Sequence, residues 1–149
     1  MERLINSAGL DIIKRFEGCK LTAYHDVAGI WTIGYGHIKG VYPGLVWTQE
    51  QADQALEDDL TGTEMAVESA CRGVPTADNE MSAMISLAFN IGTGALRGST
   101  LLAKHRAGDR DGAAHEFLNW NKARVNGVLQ PVNGLTRRRI AEFYLYQEE

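Results

Sequence analysis

The sequence predicts an α+β fold: one helix, a small hairpin sheet, and then only helices. Three observations carry this. Leu10, Ile13 and Glu17 recur at i, i+3 and i+7, one face of a helix. Between Leu21 and Ile38 the period drops to two, with Trp31, Ile33 and Tyr35 alternating with Thr32, Gly34 and Gly36. From Thr48 onward the apolar positions return to helical spacing. A chain of 149 residues, 44% hydrophobic and 23% charged, is long enough to bury a core as one domain.

The elements follow in order. Ser7 is the expected N-cap of the first helix, and Gly18 ends it. Ile12 and Phe16 widen its apolar side, so Glu17 is a carboxylate on an apolar face in a last turn. Val27-Ala28-Gly29 reads as a hairpin turn. Strict alternation beyond it puts bulky side chains on one face and Thr32 over an open glycine floor on the other. Residues 39–47 read as loop. Thr48 and Gln51 form a capping box for a helix to about Ala70, roughly 34 Å long at about 1.5 Å per residue, with Gly62 as a weak point. Its seven acidic residues over 50–68 are expected to be a solvated face.

After the break at Gly73-Val74-Pro75, Thr76 is the expected cap of a core helix carrying Met81, Met84, Ile85, Ala88 and Phe89. The Met pair is core filling. A short helix starts near Ser99, and Asp109 or Asp111 caps another that turns Ala113, Ala114, Phe117 and Leu118 inward. Residues 121–135 read as loop. A last helix from Thr136 is expected to bury Ile140, Phe143 and Tyr144.

Net charge is −4, divided as −6 over residues 1–99 and +2 over residues 100–149. A weakly acidic chain argues against nucleic acid as its main partner. Cys19 and Cys71 lack metal-type spacing, so two free thiols are the default and one disulfide is the alternative. No stretch approaches the ~18 apolar residues of a membrane span, and the N-terminal residues lack a signal-peptide apolar core. No stable membrane insertion is expected.

The chemistry concentrates in Glu17–His37. Two carboxylates in different settings are what glycoside hydrolysis needs, one giving a proton and one ionised. Burial and the helix C-terminus both disfavour a charged Glu17. Asp26 sits at a polar hairpin beside His25, and the Thr32 hydroxyl is placed to hold a water against it. Each has a plainer reading: Asp26 a turn residue, Thr32 a strand former, Glu17 the partner of a structural arginine. His25, His37 and Asp26 suggest a zinc site, but alternation turns His37 away from Thr32, and a structural hydrogen bond or ion pair suits it better. The reading needs no cofactor and no metal.

Glu17, eight intervening residues, Asp26, five more, then Thr32 and the run IGYGH resemble the signature of tailed-phage endolysin lysozymes, glycoside hydrolase family 24. LAFNIG at 87–92, GSTLL at 98–102, FLNW at 117–120 and GLTRRRIAEF at 134–143 are similar to the family's later motifs. The resemblance implies a single lysozyme-like domain over 1–149, with a hairpin lobe (about 12–60), a linking helix (about 48–70) and a helical lobe (about 71–149 plus the N-terminal helix). It implies a cleft between the lobes. It implies a muramidase that cleaves the β-1,4 bond between N-acetylmuramic acid and N-acetylglucosamine in bacterial peptidoglycan, with inversion. Glu17 is then the general acid, and Asp26 and Thr32 hold the attacking water. Phe89, Asn90, Ser99 and Thr100 are expected to bind substrate, and Arg138 of Arg137–Arg139 to approach Glu17. A monomer made in the host cytoplasm and released to the periplasmic wall by a holin is the matching expectation. A silent peptidoglycan-binding module is one alternative, disfavoured because a binder does not need all three catalytic groups. A lytic transglycosylase is the other, disfavoured because it needs no water-activating Asp26 and Thr32.

Overall fold

The computed structural model describes residues 4–149. They form two compact units, Lys14–Gly62 and a second built from the N-terminal residues to Ile13 with Thr63–Glu149.

The smaller unit starts with the end of α1 (Ser7–Glu17), where Gly18, at φ +70°, turns the chain away. β1 (Lys20–His25) and β2 (Trp31–Gly34) pair antiparallel, with Tyr24 opposite Thr32 and His25 opposite Trp31, and with a register shift towards Lys20. Residues 39–47 are not wholly loop. Ala23 N–H donates to Leu45 O and Trp47 N–H to Leu21 O, so 45–47 runs beside β1 as a short extra edge.

Strict alternation fails beyond Ile33. Gly34 and Gly36 adopt φ of +65° and +84°, and Ile33 and His37 exchange both backbone hydrogen bonds across the tight turn between them. The two glycines therefore do not form one open floor: Gly34 is buried under Trp47, while Gly36 stays exposed. A Cβ on Gly34 would lie 3.0 Å from the Trp47 ring, and one on Gly36 would lie 3.6 Å from Glu17 Oε1.

α2 (Gln49–Ala70) has the expected bounds and runs through Gly62 without interruption. Its capping box is formed: Thr48 N–H donates to Gln51 Oε1 at 2.8 Å and Gln51 N–H to Thr48 Oγ1 at 3.2 Å. Ala52, Leu56 and Leu60 are its buried stripe in the smaller unit.

The larger unit is organised on α3 (Asp78–Ile91), in which every residue from Ser82 to Ala88 is buried. Its first turn is not capped by Thr76. Glu80 reaches back to Ala77 N–H at 2.9 Å, and Thr76 is drawn to a buried histidine described below. Phe89 is half-buried at the helix end rather than in the core. The first helix likewise starts from Asn6, not Ser7: Asn6 Oδ1 accepts Gly9 N–H at 3.0 Å. Gly9 packs directly on α3, where a Cβ would meet Ser82 Cβ at 2.9 Å. The acidic face of α2 also has an exception. Glu64 is buried and accepts Leu4 and Ile5 N–H at 2.8 and 3.0 Å.

Short helices α4 (Thr93–Arg97), α5 (Thr100–Arg106) and α6 (Arg110–Glu116) follow, the first of them unexpected after the Gly92–Gly94 break. Ser99 caps α5 and Asp109 caps α6 through side-chain bonds to Leu102 and Gly112 N–H. A 3-10 turn at Phe117–Asn119 leads to a second sheet, β3 (Lys122–Val125) and β4 (Val128–Pro131). The sheet content is thus not confined to the N-terminal part, nor is 121–135 a loop. Asn126 and Gly127, at φ +53° and +80°, make the two-residue turn that an Asn-Gly pair favours. α7 (Asn133–Gln147) starts three residues before Thr136. Its buried face is Arg138, Arg139, Glu142, Leu145 and Tyr146, while Ile140 and Tyr144 are exposed. The apolar spacing misled because the inward face of this helix is largely charged.

Candidate active site

Glu17, Asp26 and Thr32 all fall in the smaller unit. Helix α1 delivers Glu17 in its last turn, half-buried, with its carboxylate against the Gly34–Gly36 turn. A Cβ at Gly36 would only touch that carboxylate, and it is the positive φ that favours glycine there.

Asp26 is fixed by its own turn. Oδ1 accepts the N–H groups of Ala28 and Ile30, both at 2.9 Å, while Asp26 N–H donates to Ile30 O at 3.0 Å. This is an Asx-type turn, which locks the carboxylate's orientation and assigns one oxygen to the backbone. Thr32, only 4% exposed, donates its hydroxyl proton to Ile30 O at 2.9 Å. Its oxygen is then an acceptor towards any further partner. Both side chains are therefore tied to the backbone of Ile30.

A polar cluster anchors Tyr35, the middle residue of the glycine turn. Tyr35 O–H donates to Asp53 Oδ1 at 3.2 Å, and Gln49 Nε2 donates to the Tyr35 hydroxyl at 3.1 Å and Asp53 at 2.9 Å. Lys14, one turn before Glu17, is 3.9 Å from Asp53. Burial pushes the Tyr35 phenol above its ordinary range, so it serves as a neutral donor. Sequence reading missed this cluster, because Tyr35 looked like one more bulky strand residue.

The histidines are occupied structurally. His37 meets Asp59 Oδ2 at 2.9 Å through Nδ1 and Lys39 O at 2.8 Å through Nε2. This is the supporting role expected of it, reached through a turn rather than through strand alternation. The His25 ring lies 3.9 Å from that of Trp31, centroid to centroid. Among the described residues no group of three His, Cys, Asp or Glu is arranged to hold a metal. Cys19 is half-buried and Cys71 buried, and both are free thiols.

The residues expected to bind substrate lie in the larger unit. Asn90 is exposed at the end of α3, where its Oδ1 accepts Arg139 Nη1 at 2.9 Å. Thr100 is exposed at the first position of α5. Ser99 is buried and fully engaged, donating to Leu96 O at 2.6 Å and accepting Leu102 N–H at 3.1 Å.

Arg138 is buried and donates to Glu142 Oε2 at 3.2 Å and Ser86 O at 3.0 Å. Arg139 lies 2.7 Å from Glu142 Oε1 through Nε and also reaches Trp120 O. Ser86 adds a hydroxyl to Glu142 at 2.5 Å. Burial lifts the Glu142 carboxyl above its ordinary range, against the pull of Arg139, Arg138 and Ser86.

A buried relay completes the unit. Thr76 Oγ1 donates to Val74 O at 3.2 Å and meets His105 Nε2 at 2.9 Å, while His105 Nδ1 meets Tyr146 O–H at 2.6 Å. With the Thr76 proton on Val74, the consistent assignment is a neutral imidazole protonated at Nε2 that accepts from Tyr146. Burial, then Arg110, pushes His105 below its ordinary range, and burial raises the Tyr146 phenol.

A hairpin sheet against the carboxylate-bearing end of one helix, with a helical body built on another, is the architecture of the lysozyme class. The phage lysozyme family model matches residues 14–142. An endolysin of Acyrthosiphon pisum secondary endosymbiont phage 1 is 45% identical over 143 residues, 96% of this chain and 97% of that one. Among solved structures, the endolysin of Escherichia coli O157:H7 phage FAHEc1 is 43% identical with a TM-score of 0.90, over 99% of this chain and 94% of that one. The muramidase domain of SpmX from Asticaccaulis excentricus is 35% identical with a TM-score of 0.91, over 97% and 98%. The chain spans about half the length of some other curated relatives. It belongs to the phage lysozyme family and is an enzyme of the lysozyme type.

Proposed function

We propose that the protein is an endolysin muramidase that hydrolyses the β-1,4 bond between N-acetylmuramic acid and N-acetylglucosamine in bacterial peptidoglycan, with inversion, in host-cell lysis. The observation that carries the reading is the division of labour within one small unit. Glu17 ends a helix against a glycine turn, while Asp26 and Thr32 are oriented by a single backbone residue, Ile30.

In this proposal Glu17 gives its proton to the glycosidic oxygen as the C–O bond breaks. A water on the opposite face attacks the anomeric carbon. One of its protons passes to Asp26, and the other is held by the Thr32 oxygen, whose own proton is engaged by Ile30. Inversion requires a carboxyl separation of roughly 6.5–9.5 Å, leaving room for that water.

Phe89, Asn90 and Thr100 contact the glycan in this reading. Ser99, which also caps the helix that carries Thr100, binds with them, and Arg138 is the arginine that serves Glu17. The proposal includes action as a monomer and release from the host cytoplasm through a holin. Expression with and without a holin, read as culture lysis, tests that part.

Product analysis on purified peptidoglycan tests the reaction. Reducing muramic ends, formed initially as the α anomer, are expected. Anhydro-muramic ends would mean a transglycosylase, and no cleavage would leave a binding module. Glu17→Gln should lower turnover at least 10³-fold, on the order expected for loss of a general acid, with an unchanged melting temperature. Full activity in that variant would remove Glu17 from its role.

A further inference from the structure

We propose that the smaller unit carries a second glycan-binding site, a pocket for a single N-acetylhexosamine ring formed by Trp47, His37 and one face of α2. This deepens the peptidoglycan reading and rests on it. The pocket has a volume of about 340 Å³ and is lined by His37, Trp47, Gln51, Gln54, Ala55 and Asp58. That is near the lower end of the ~300–1,000 Å³ of small-molecule sites, suited to one sugar ring rather than a chain.

Residues 51, 54, 55 and 58 stand at i, i+3, i+4 and i+7, so they form one stripe on α2. Opposite them are two aromatic rings, His37 and Trp47, with centroids 5.3 Å apart and planes tilted by 43°. Both rings are fixed. His37 has each nitrogen engaged, by Asp59 and by Lys39 O, so it offers the pocket a ring face and no free polar atom. Trp47 has its backbone N–H on Leu21 O and its ring edge over Gly34, where even a methyl group would crowd it.

The polar rim is complementary to an amino sugar. Gln51 spends its oxygen on Thr48 N–H, which leaves its amide N–H₂ to donate. Gln54 commits one N–H to Asp58 Oδ1 at 3.0 Å, which orients its amide and leaves its carbonyl to accept, beside the second Asp58 oxygen. One donor and two acceptors around an aromatic floor match the acetamido and hydroxyl groups of the sugar, with its C–H face on the rings. The pre-formed geometry lowers the ordering cost of binding. None of these six residues belongs to the proposed catalytic set, so the pocket would hold a neighbouring strand of the wall while another strand is cut.

Titration of the Glu17→Gln protein with tri-N-acetylchitotriose, followed by ¹⁵N-¹H spectra, tests this. The Trp47 indole N–H and the Gln51 and Gln54 side-chain amides should shift saturably. Cellotriose, which lacks acetamido groups, should move them at least fivefold less at equal concentration. Ala55→Phe fills the pocket, and Gln54→Ala removes rim polarity without adding bulk. Each should abolish those shifts and slow clearing of intact walls about threefold or more, while leaving cleavage of solubilised glycan strands unchanged. Unmoved Trp47 and amide signals at saturating ligand, or wild-type wall clearing in both variants, would overturn the proposal. Failure of the muramidase reading would appear separately, as absence of cleavage of soluble strands by the unsubstituted protein.

Discussion

Replacing Glu142 with glutamine should destabilise the protein by about 3 kcal/mol, for a reason visible in its surroundings. Four contacts converge on this fully buried carboxylate: Arg139 Nε at 2.7 Å and Nη2 at 3.1 Å, Arg138 Nε at 3.2 Å and Ser86 Oγ at 2.5 Å. Glutamine keeps the volume and one carbonyl acceptor but removes the charge. It also points an amide N–H₂ towards guanidinium groups that are themselves donors. Breaking a buried ion pair from one side costs about 3–5 kcal/mol, and the retained acceptor favours the lower end. For a chain of this size that corresponds to a fall in Tm of roughly 6–12 °C. Urea and thermal melts by circular dichroism at pH 7 measure it, with Ser86→Ala, which removes one hydroxyl donor, as a comparison expected to lose only about 1.5 kcal/mol. A loss under about 1 kcal/mol for Glu142→Gln would refute the reasoning. It would mean that the carboxyl is already neutral in the folded protein and that the arginines are satisfied by Ser86 O, Asn90 and Trp120 O.

Two other expectations follow from the packing. His105 has a folded pKa below its ordinary value of 6.5, so the folded state binds fewer protons than the unfolded chain. Its contribution to stability is complete above that value and is lost as pH falls from it through the depressed folded value; urea midpoints between pH 7 and 5 should drop less steeply in His105→Gln, and an identical slope would contradict the buried neutral imidazole. At Gly9, an added Cβ would lie 2.8 Å from Ile5 Cγ1 and 2.9 Å from Ser82 Cβ. Overpacking of about 1–3 kcal/mol should outweigh the roughly 1 kcal/mol helix-propensity gain, so a Gly9→Ala protein that melts no lower would show that the helix can shift.

The parts legible in the sequence were those governed by local chemistry. Thr48 and Gln51 announce their helix because both halves of a capping box lie within one turn of chain, and Asp109 does the same for α6. Asp26 and Thr32 meet at one backbone residue, Ile30, because the turn between their strands is short. Parts governed by tertiary packing were not legible. The apolar phase of α7 pointed to Ile140 and Tyr144, but that helix buries Arg138, Arg139 and Glu142, which are mutually compensating only once folded. Thr76 was available as a cap and was taken instead by His105, 29 residues away. The second hairpin was a different kind of omission. Its Asn126-Gly127 turn signal was present, but the Asn, Gly and Pro residues of 121–135 read as loop, and strands of four residues are too short to show a period.

That second hairpin also bears on solubility. Val125, Val128 and Leu129 are exposed on it, and a two-stranded sheet has two open edges. Its open end pairs Lys122 with Pro131, and the next residue along β3 but one is Arg124. Proline offers no N–H to an incoming strand, and two cations on β3 repel a second copy laid alongside in register. The apolar side chains near its tip are therefore accessible to small partners while the backbone is a poor template for strand addition. This sheet therefore does not offer its own copies a ready edge for aggregation.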